Sequence, residues 1–483
     1  MEAYIYLLAL LPLLYILRSL RAFLCSDDRR LRIPPGPWKV PVIGHLHHLF
    51  GALPHRALRD LSRCHGLLML LKLGKVPVIV ASSAEAAKAI MKTHDHIFRT
   101  RPLSSKAKVL NEHGTGITFS LYGAHWRQLG KICVLELLNA KHVKAFRPTH
   151  EEEVIRFIQS ISYPSVSQLT VNLSNMLMIY GADTMVHSTM GCRLKDHDSD
   201  TLLDYVSEVV QLIGGYTLSN VFPSSRLGRT LSSTLHRASD VFVGGSESPV
   251  TTLQWAMIEL MQNPSMMSRA QAEVRGAFAG QTKVTEEGLA KLSYLQCIIK
   301  ETLRLHAPTP LLLPRECQQQ CNILDYDVPK GAIVLVNAWA ISRDPEYWEE
   351  LDAFIPDRFM GSKMNYDPNN FEFIPFSYGR RICPGMLFGI ANINLALASL
   401  LFYFDWALPD GILLGDLDMA ETMGISAKKK LAAIACNSPH TTTRLNRCFP
   451  IQIFAWSCLL SKPYVWPCGY SNSASVGTLF MCP

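Results

Sequence analysis

Acidic residues run out before the chain does: no Asp or Glu follows Glu421, although the sequence continues to residue 483. Five of the thirteen cysteines, Cys436, Cys448, Cys458, Cys468 and Cys482, fall in that same end. A composition so unlike the rest marks residues 436–483 as a tail apart, expected to be poorly ordered. Charge of either sign is missing from residues 3–17 (AYIYLLALLPLLYIL), which excludes an ordinary amphipathic surface helix there. Long Lys/Arg runs and basic–aromatic interleaving are also missing, and the formal charge is only +7, so nucleic acid is set aside as a partner. There is no internal repeat. The cysteines are scattered through a large chain, which excludes the disulfide framework of a small secreted domain; a cytosol-facing body keeps them reduced.

The uncharged run is followed by Arg18, Arg21, Arg29, Arg30 and Arg32, with only Asp27 and Asp28 opposing them. A basic flank after the apolar run favours a retained anchor over a cleaved leader, whose charge would come first. Fifteen helical residues cover only about 22 Å of a roughly 30 Å hydrocarbon layer, so spanning extends through Phe23 and Leu24 while Arg18 and Arg21 snorkel. Residues 1–25 are therefore read as a membrane anchor. Pro34-Pro35-Gly36-Pro37 then forms a stiff hinge.

With 48% apolar residues the remainder can bury a large core. Helical periodicity dominates, over 84–93, 151–160, 202–213, 251–262 and 292–305, while strand-like runs such as 76–81 and 332–337 are few and short. The fold class is mostly α with a minor β part.

Residues 376–385 read FSYGRRICPG. Every fixed position has a role if Cys383 is a thiolate ligand to haem iron. Phe376 would shield the sulfur and Gly379 permit the tight turn presenting it. Arg381 would pair with a propionate, and Gly385 would let the next helix start close to the porphyrin. Backbone N–H groups at that helix start would hydrogen-bond the sulfur. Upstream, Glu301 and Arg304 lie three residues apart on one helix face, and FIPDRF supplies Arg358, able to complete a buried Glu-Arg-Arg triad.

The set E-x-x-R, F-x-P-D-R-F and F-x-x-G-x-R-x-C-x-G resembles the cytochrome P450 superfamily. The segments PPGPWKVPVIGHL and LRLHAPTPLLLPRE and the surroundings of Trp126 resemble, more narrowly, the plant A-type enzymes of specialised metabolism. The resemblance covers about residues 1–435 and implies a P450 fold behind an N-terminal anchor helix, with residues 26–435 as the catalytic domain. It also implies haem b and electrons from NADPH through a cytochrome P450 reductase. The reaction would be monooxygenation by O2 of a small lipophilic substrate such as a terpenoid, at the endoplasmic reticulum membrane with the body facing the cytosol. In the family a small-Gly-x-acid-Thr run on a long helix delivers protons to dioxygen. Gly244-Gly245-Ser246-Glu247-Ser248-Pro249 matches it, making Glu247 the relay acid, Ser248 the hydroxyl and Gly245 the opening in the helix, with a kink expected at Pro249. Trp126 and Arg315 resemble propionate partners. Gly130 stands where the family's W-x-x-x-R has arginine, leaving Arg127 or Lys131 as substitutes. The basic stretch Arg127, Lys131, Lys141, Lys144 and Arg147 would meet the acidic reductase.

Two departures set limits. Only 20 residues separate Pro223 from Gly244, where relatives hold two or three helices, and the tail resembles no family ending. Both admit a non-catalytic haem-binding isoform as an alternative. A hydroperoxide isomerase, needing neither reductase nor O2, is a further one that the retained Glu247-Ser248 disfavours.

Overall fold

The computed structural model describes residues 31–102, 116–162, 170–193, 240–362, 364, 366, 369–407, 421 and 434–439. The expected anchor, the 202–213 helix, the short stretch after Pro223 up to residue 239 and the tail beyond residue 439 lie outside the described residues.

Eleven helices are named here in chain order. They are α1 (Pro54–His65), α2 (Ala84–Lys88), α3 (Ala124–Lys131), α4 (Ala140–Ala145), α5 (Arg147–Ser162), α6 (Leu173–Met190), α7 (Asp240–Gln262), α8 (Pro264–Ala277), α9 (Ser293–Leu305), α10 (Ala338–Ile341) and α11 (Met386–Tyr403). Local chemistry sets several ends. Pro54 occupies the first turn of α1, where a missing N–H costs nothing. Ser83 caps α2 by accepting from the Ala86 N–H at 3.1 Å, and Asn172 caps α6 by accepting from the Asn175 N–H at 3.1 Å. Gly191, at φ 67°, closes α6 in the left-handed conformation.

The β part is small. Strands β1 (Leu68–Leu73) and β2 (Val76–Ala81) form an antiparallel pair; β3 is Thr170–Val171, β4 Arg315–Glu316, β5 Cys321–Ile323, β6 Tyr326–Val328, β7 Ile333–Val336, β8 Phe404–Ala407 and β9 Ile434–Pro439. The largest sheet runs β1-β2-β7-β4, with β2 and β7 parallel and β7 and β4 antiparallel. A three-stranded sheet, β3-β9-β8, and the β5–β6 hairpin complete it. In strand β9, Cys436 pairs with Trp406 and Asn437 with Asp405 of β8.

Helices α5 to α9 and α11 enclose the main core, in which Leu177, Leu253, Ala256, Leu260, Ile298, Ala396, Leu397 and Leu400 are all fully buried. Each such leucine contributes roughly 2 kcal/mol of burial. Among the described residues one helix is long and apolar enough to cross a membrane, and it is α11, with mean hydropathy 1.7 and 67% of its span buried inside the protein. The apolar span found is thus not N-terminal. Being apolar on all sides, α11 serves as a central core element, packed among α5, α7 and α8.

Candidate functional site

Residues from four distant parts of the chain meet at the start of α11. Cys383 closes a loop in which its N–H donates to the Phe376 carbonyl at 3.0 Å. Its side chain is open to the exterior, yet protein surrounds the sulfur on most other sides. That desolvation pushes the thiol up, while a hydrogen bond from the Gly385 N–H pulls it down. Phe376 is half-buried and meets Tyr366 edge-on at 5.1 Å between ring centroids. Gly379 has φ 76°, and a Cβ there would fall 2.4 Å from the Met91 carbonyl oxygen and 2.6 Å from Asp95 Oδ1. Gly379→Ala is therefore expected to lower stability by about 2 kcal/mol or more, read as a fall in the denaturation midpoint; an unchanged midpoint would contradict the tightness of this turn. At Gly385, by contrast, a Cβ would meet nothing within 4 Å. The protein's own packing does not require that glycine; its absent side chain keeps the space beside the sulfur open.

Arg381 is buried and donates to three backbone carbonyls, from Nε to Arg99 at 2.8 Å, Nη1 to Ile117 at 3.1 Å and Nη2 to Ser120 at 2.6 Å. Its guanidinium lies 4.2 Å from the centroid of the Trp126 ring, whose Nε1–H donates to the same Ile117 carbonyl at 2.8 Å. Arg315, on β4, donates to the Tyr378 carbonyl at 2.6 Å and pairs with Asp95 at 3.3 Å. A third guanidinium, Arg101, escaped the sequence reading. It donates to the carbonyls of Leu313 at 2.6 Å and Pro314 at 2.9 Å. Burial, and then the Arg315 and Arg381 charges, push Arg101 well below the usual guanidinium value; burial and Arg315 bring Arg381 down to about 10. The Nε atoms of Arg101 and Arg315 are buried without a hydrogen-bond partner. Three buried cations, one of them paired with Asp95 and two with an unpartnered Nε–H, form a site suited to an anion.

Neither suggested substitute for the family arginine joins this cluster: Arg127 and Lys131 are exposed on α3. Of the basic stretch, Lys141 and Lys144 are likewise exposed, while Arg147 pairs with Glu151 and Glu287, each at 3.5 Å.

On α7, Gly244, Glu247, Ser248 and Thr251 recur at three- and four-residue intervals and so share one face. Glu247 is 6% exposed, and the fully buried Thr251 hydroxyl lacks a hydrogen-bond partner. A Cβ on Gly245 would strike Met185 of α6 at 2.6 Å, whereas one on Gly244 would meet nothing within 4 Å. Gly245 thus serves the close crossing of α6 and α7, and Gly244 is the position on the open side. Pro249 sits inside α7, and the helix continues past it.

Behind the loop, Glu301 accepts from Arg304 at 2.7 and 2.8 Å, from Arg358 Nε at 3.1 Å and from the Ile355 N–H at 2.9 Å. Arg304 donates also to the carbonyls of Ser342 and Leu351, both at 2.9 Å, and of Ala353 at 3.0 Å. Glu301 and Arg304 are 0% exposed, so the pair fastens α9 to the 342–358 segment within the core.

The profile described as Cytochrome P450 matches residues 34–239 and 228–432. The chain belongs to the cytochrome P450 family. It is similar to desmethyl-deoxy-podophyllotoxin synthase of Sinopodophyllum hexandrum, 42% identical over 86% of this chain and 94% of that protein. Dolabradiene monooxygenase of Zea mays is 40% identical over 88% of this chain and 96% of that protein. A solved zebrafish cytochrome P450 with progesterone superposes with a TM-score of 0.69 at 20% identity, covering 80% of this chain and 100% of that one. This is a P450 closely related to the plant A-type enzymes, in a haem-thiolate oxidoreductase family whose members imply haem b, reductase, lipid and O2.

The residues fit that group: a cysteine sulfur with a backbone N–H aimed at it, open space at Gly385, and three arginines suited to two propionates. Arg101→Ala is expected to speed haem loss about 10–100-fold, from about 1.5–3 kcal/mol per charge-assisted bond, measured by transfer to apomyoglobin. An unchanged transfer rate would remove Arg101 from the haem site.

Proposed function

We propose that this P450 monooxygenase inserts one oxygen atom of O2 into a small lipophilic molecule of the terpenoid class, drawing electrons from NADPH through a reductase. In this reading the Cys383 sulfur would hold the haem iron, and haem bound by a thiolate would supply the O–O-cleaving chemistry. Trp126, Arg101, Arg315 and Arg381 hold the propionates, while Phe376 and the Gly379 turn fix the cysteine. Glu247 carries a proton inward along α7 and the Ser248 hydroxyl hands it on. The Glu301-Arg304-Arg358 triad keeps the loop's support rigid. Residues 1–25 anchor the 26–435 domain to the endoplasmic reticulum membrane, leaving the exposed Arg127, Lys131, Lys141 and Lys144 to steer the reductase.

The observation that carries the reading is the meeting of one cysteine with three buried arginines, only one of them paired with a carboxylate, beside its loop. The substrate class leans on a relative named for monooxygenation of dolabradiene. Another relative is named for a different product, so no single compound is carried over. Reconstitution with reductase, NADPH and a terpenoid panel should give oxygenated product from at least one member. Full haem loading with no product from any of them, or turnover of a lipid hydroperoxide without NADPH, would overturn it.

A further inference from the structure

Two cysteines outside the haem loop have a geometry that the reaction does not use. Cys317 follows β4 and is fully buried, while Cys321 opens β5 and is partly exposed. Only the bend Gln318-Gln319-Gln320 separates them. Cys317 Sγ lies 3.0 Å from the Gln319 carbonyl oxygen and 3.9 Å from that of Val328. Val328 is in turn the ladder partner of Cys321 in the β5–β6 hairpin, so the bend brings both cysteines to the same end of that hairpin. The hydrogen bond between the two thiols, and then burial, hold Cys317 far up in its protonated form; the same bond brings Cys321 down. Burial makes the pair asymmetric, with Cys317 fully buried and Cys321 partly exposed.

We infer that Cys317 and Cys321 are a peroxide-sensitive dithiol that closes into a disulfide. The Cys321 thiolate attacks one oxygen of hydrogen peroxide; an S–O bond forms, the O–O bond breaks and the hydroxide released takes up a proton to become water. Cys321 is then a sulfenic acid. Cys317 sulfur attacks Cys321 sulfur, the S–S bond forms and the S–O bond breaks, and the departing hydroxide leaves as a second water with the Cys317 proton. Two thiols are oxidised by two electrons and one peroxide is reduced. The bond would sit beside the 97–100 segment: the Gln318 N–H donates to the Ile97 carbonyl at 3.1 Å, Arg99 donates to the Gln318 side chain at 3.2 Å, and the Glu316 N–H donates to the Thr100 carbonyl at 2.9 Å.

Trypsin leaves both cysteines on one peptide, Glu316–Lys330, because no Lys or Arg lies between them. The full-length haem-loaded protein is exposed briefly to hydrogen peroxide, quenched with catalase, alkylated with N-ethylmaleimide and digested. The expected result is that this peptide loses both maleimide labels and is lighter by two hydrogens, regaining both labels after dithiothreitol. In Cys317→Ser, dimedone should instead trap a sulfenic acid on Cys321. The inference is overturned if both cysteines keep their labels under conditions that oxidise the exposed Cys64 and Cys192. It is equally overturned if wild-type Cys321 proceeds to sulfinic acid while Cys317 stays labelled. The wild-type mass shift stands whether or not the variant folds.

Discussion

Arg304→Ala will leave little or no folded protein at ambient temperature. The substitution strips Glu301, which has no solvent access, of its two shortest bonds, and the carbonyls of Ser342, Leu351 and Ala353 each lose a donor. Breaking a buried ion pair on one side costs about 3–5 kcal/mol, and each buried carbonyl left unpaired adds about 1–3 kcal/mol. Those costs together rival the roughly 5–15 kcal/mol by which a domain is stable. Lysine should not rescue, since a point charge on a flexible stem cannot serve a carboxylate and three carbonyls in fixed directions. Soluble yield and urea denaturation decide the matter. A variant folding with a midpoint close to the parent's would show the triad to be incidental.

Glu247→Gln should cut product formation about 100-fold, at the lower end of what positioned acids contribute, while haem content and the reduced carbon monoxide spectrum stay as in the parent. The amide keeps the volume of a side chain that is 6% exposed and removes only its ability to take up and release a proton. NADPH should still be consumed, without matching product, because electron delivery does not pass through α7. Product and NADPH measured together separate this from a folding defect. A variant with the parent's product yield would take Glu247 out of the reaction.

Much of this was legible in the sequence where the signal is local. The 76–81 strand appears with the expected bounds, as does the 293–305 helix to within a residue, because each carries its own periodicity. The FSYGRRICPG loop was legible because its spacing encodes one turn: Gly379 is required by the Met91 and Asp95 oxygens crowding it. What escaped depends on which distant segment lies alongside. Arg101 is one arginine before a proline, and it acquires meaning only when a bridge between Thr100 and Glu316 brings it to Leu313, 212 positions away. The two glycines of α7 are indistinguishable in sequence; only Gly245 lies against Met185 of α6. Apolar length alone could not separate a membrane span from α11, whose neighbours make it a core helix.

Whether the Cys383 sulfur binds the haem iron is read from the reduced protein under carbon monoxide. A thiolate-type Soret band is expected from the parent chain, and its loss in Cys383→Ala. A parent spectrum of the histidine-ligated type, or an alanine variant with the parent's spectrum, would contradict it.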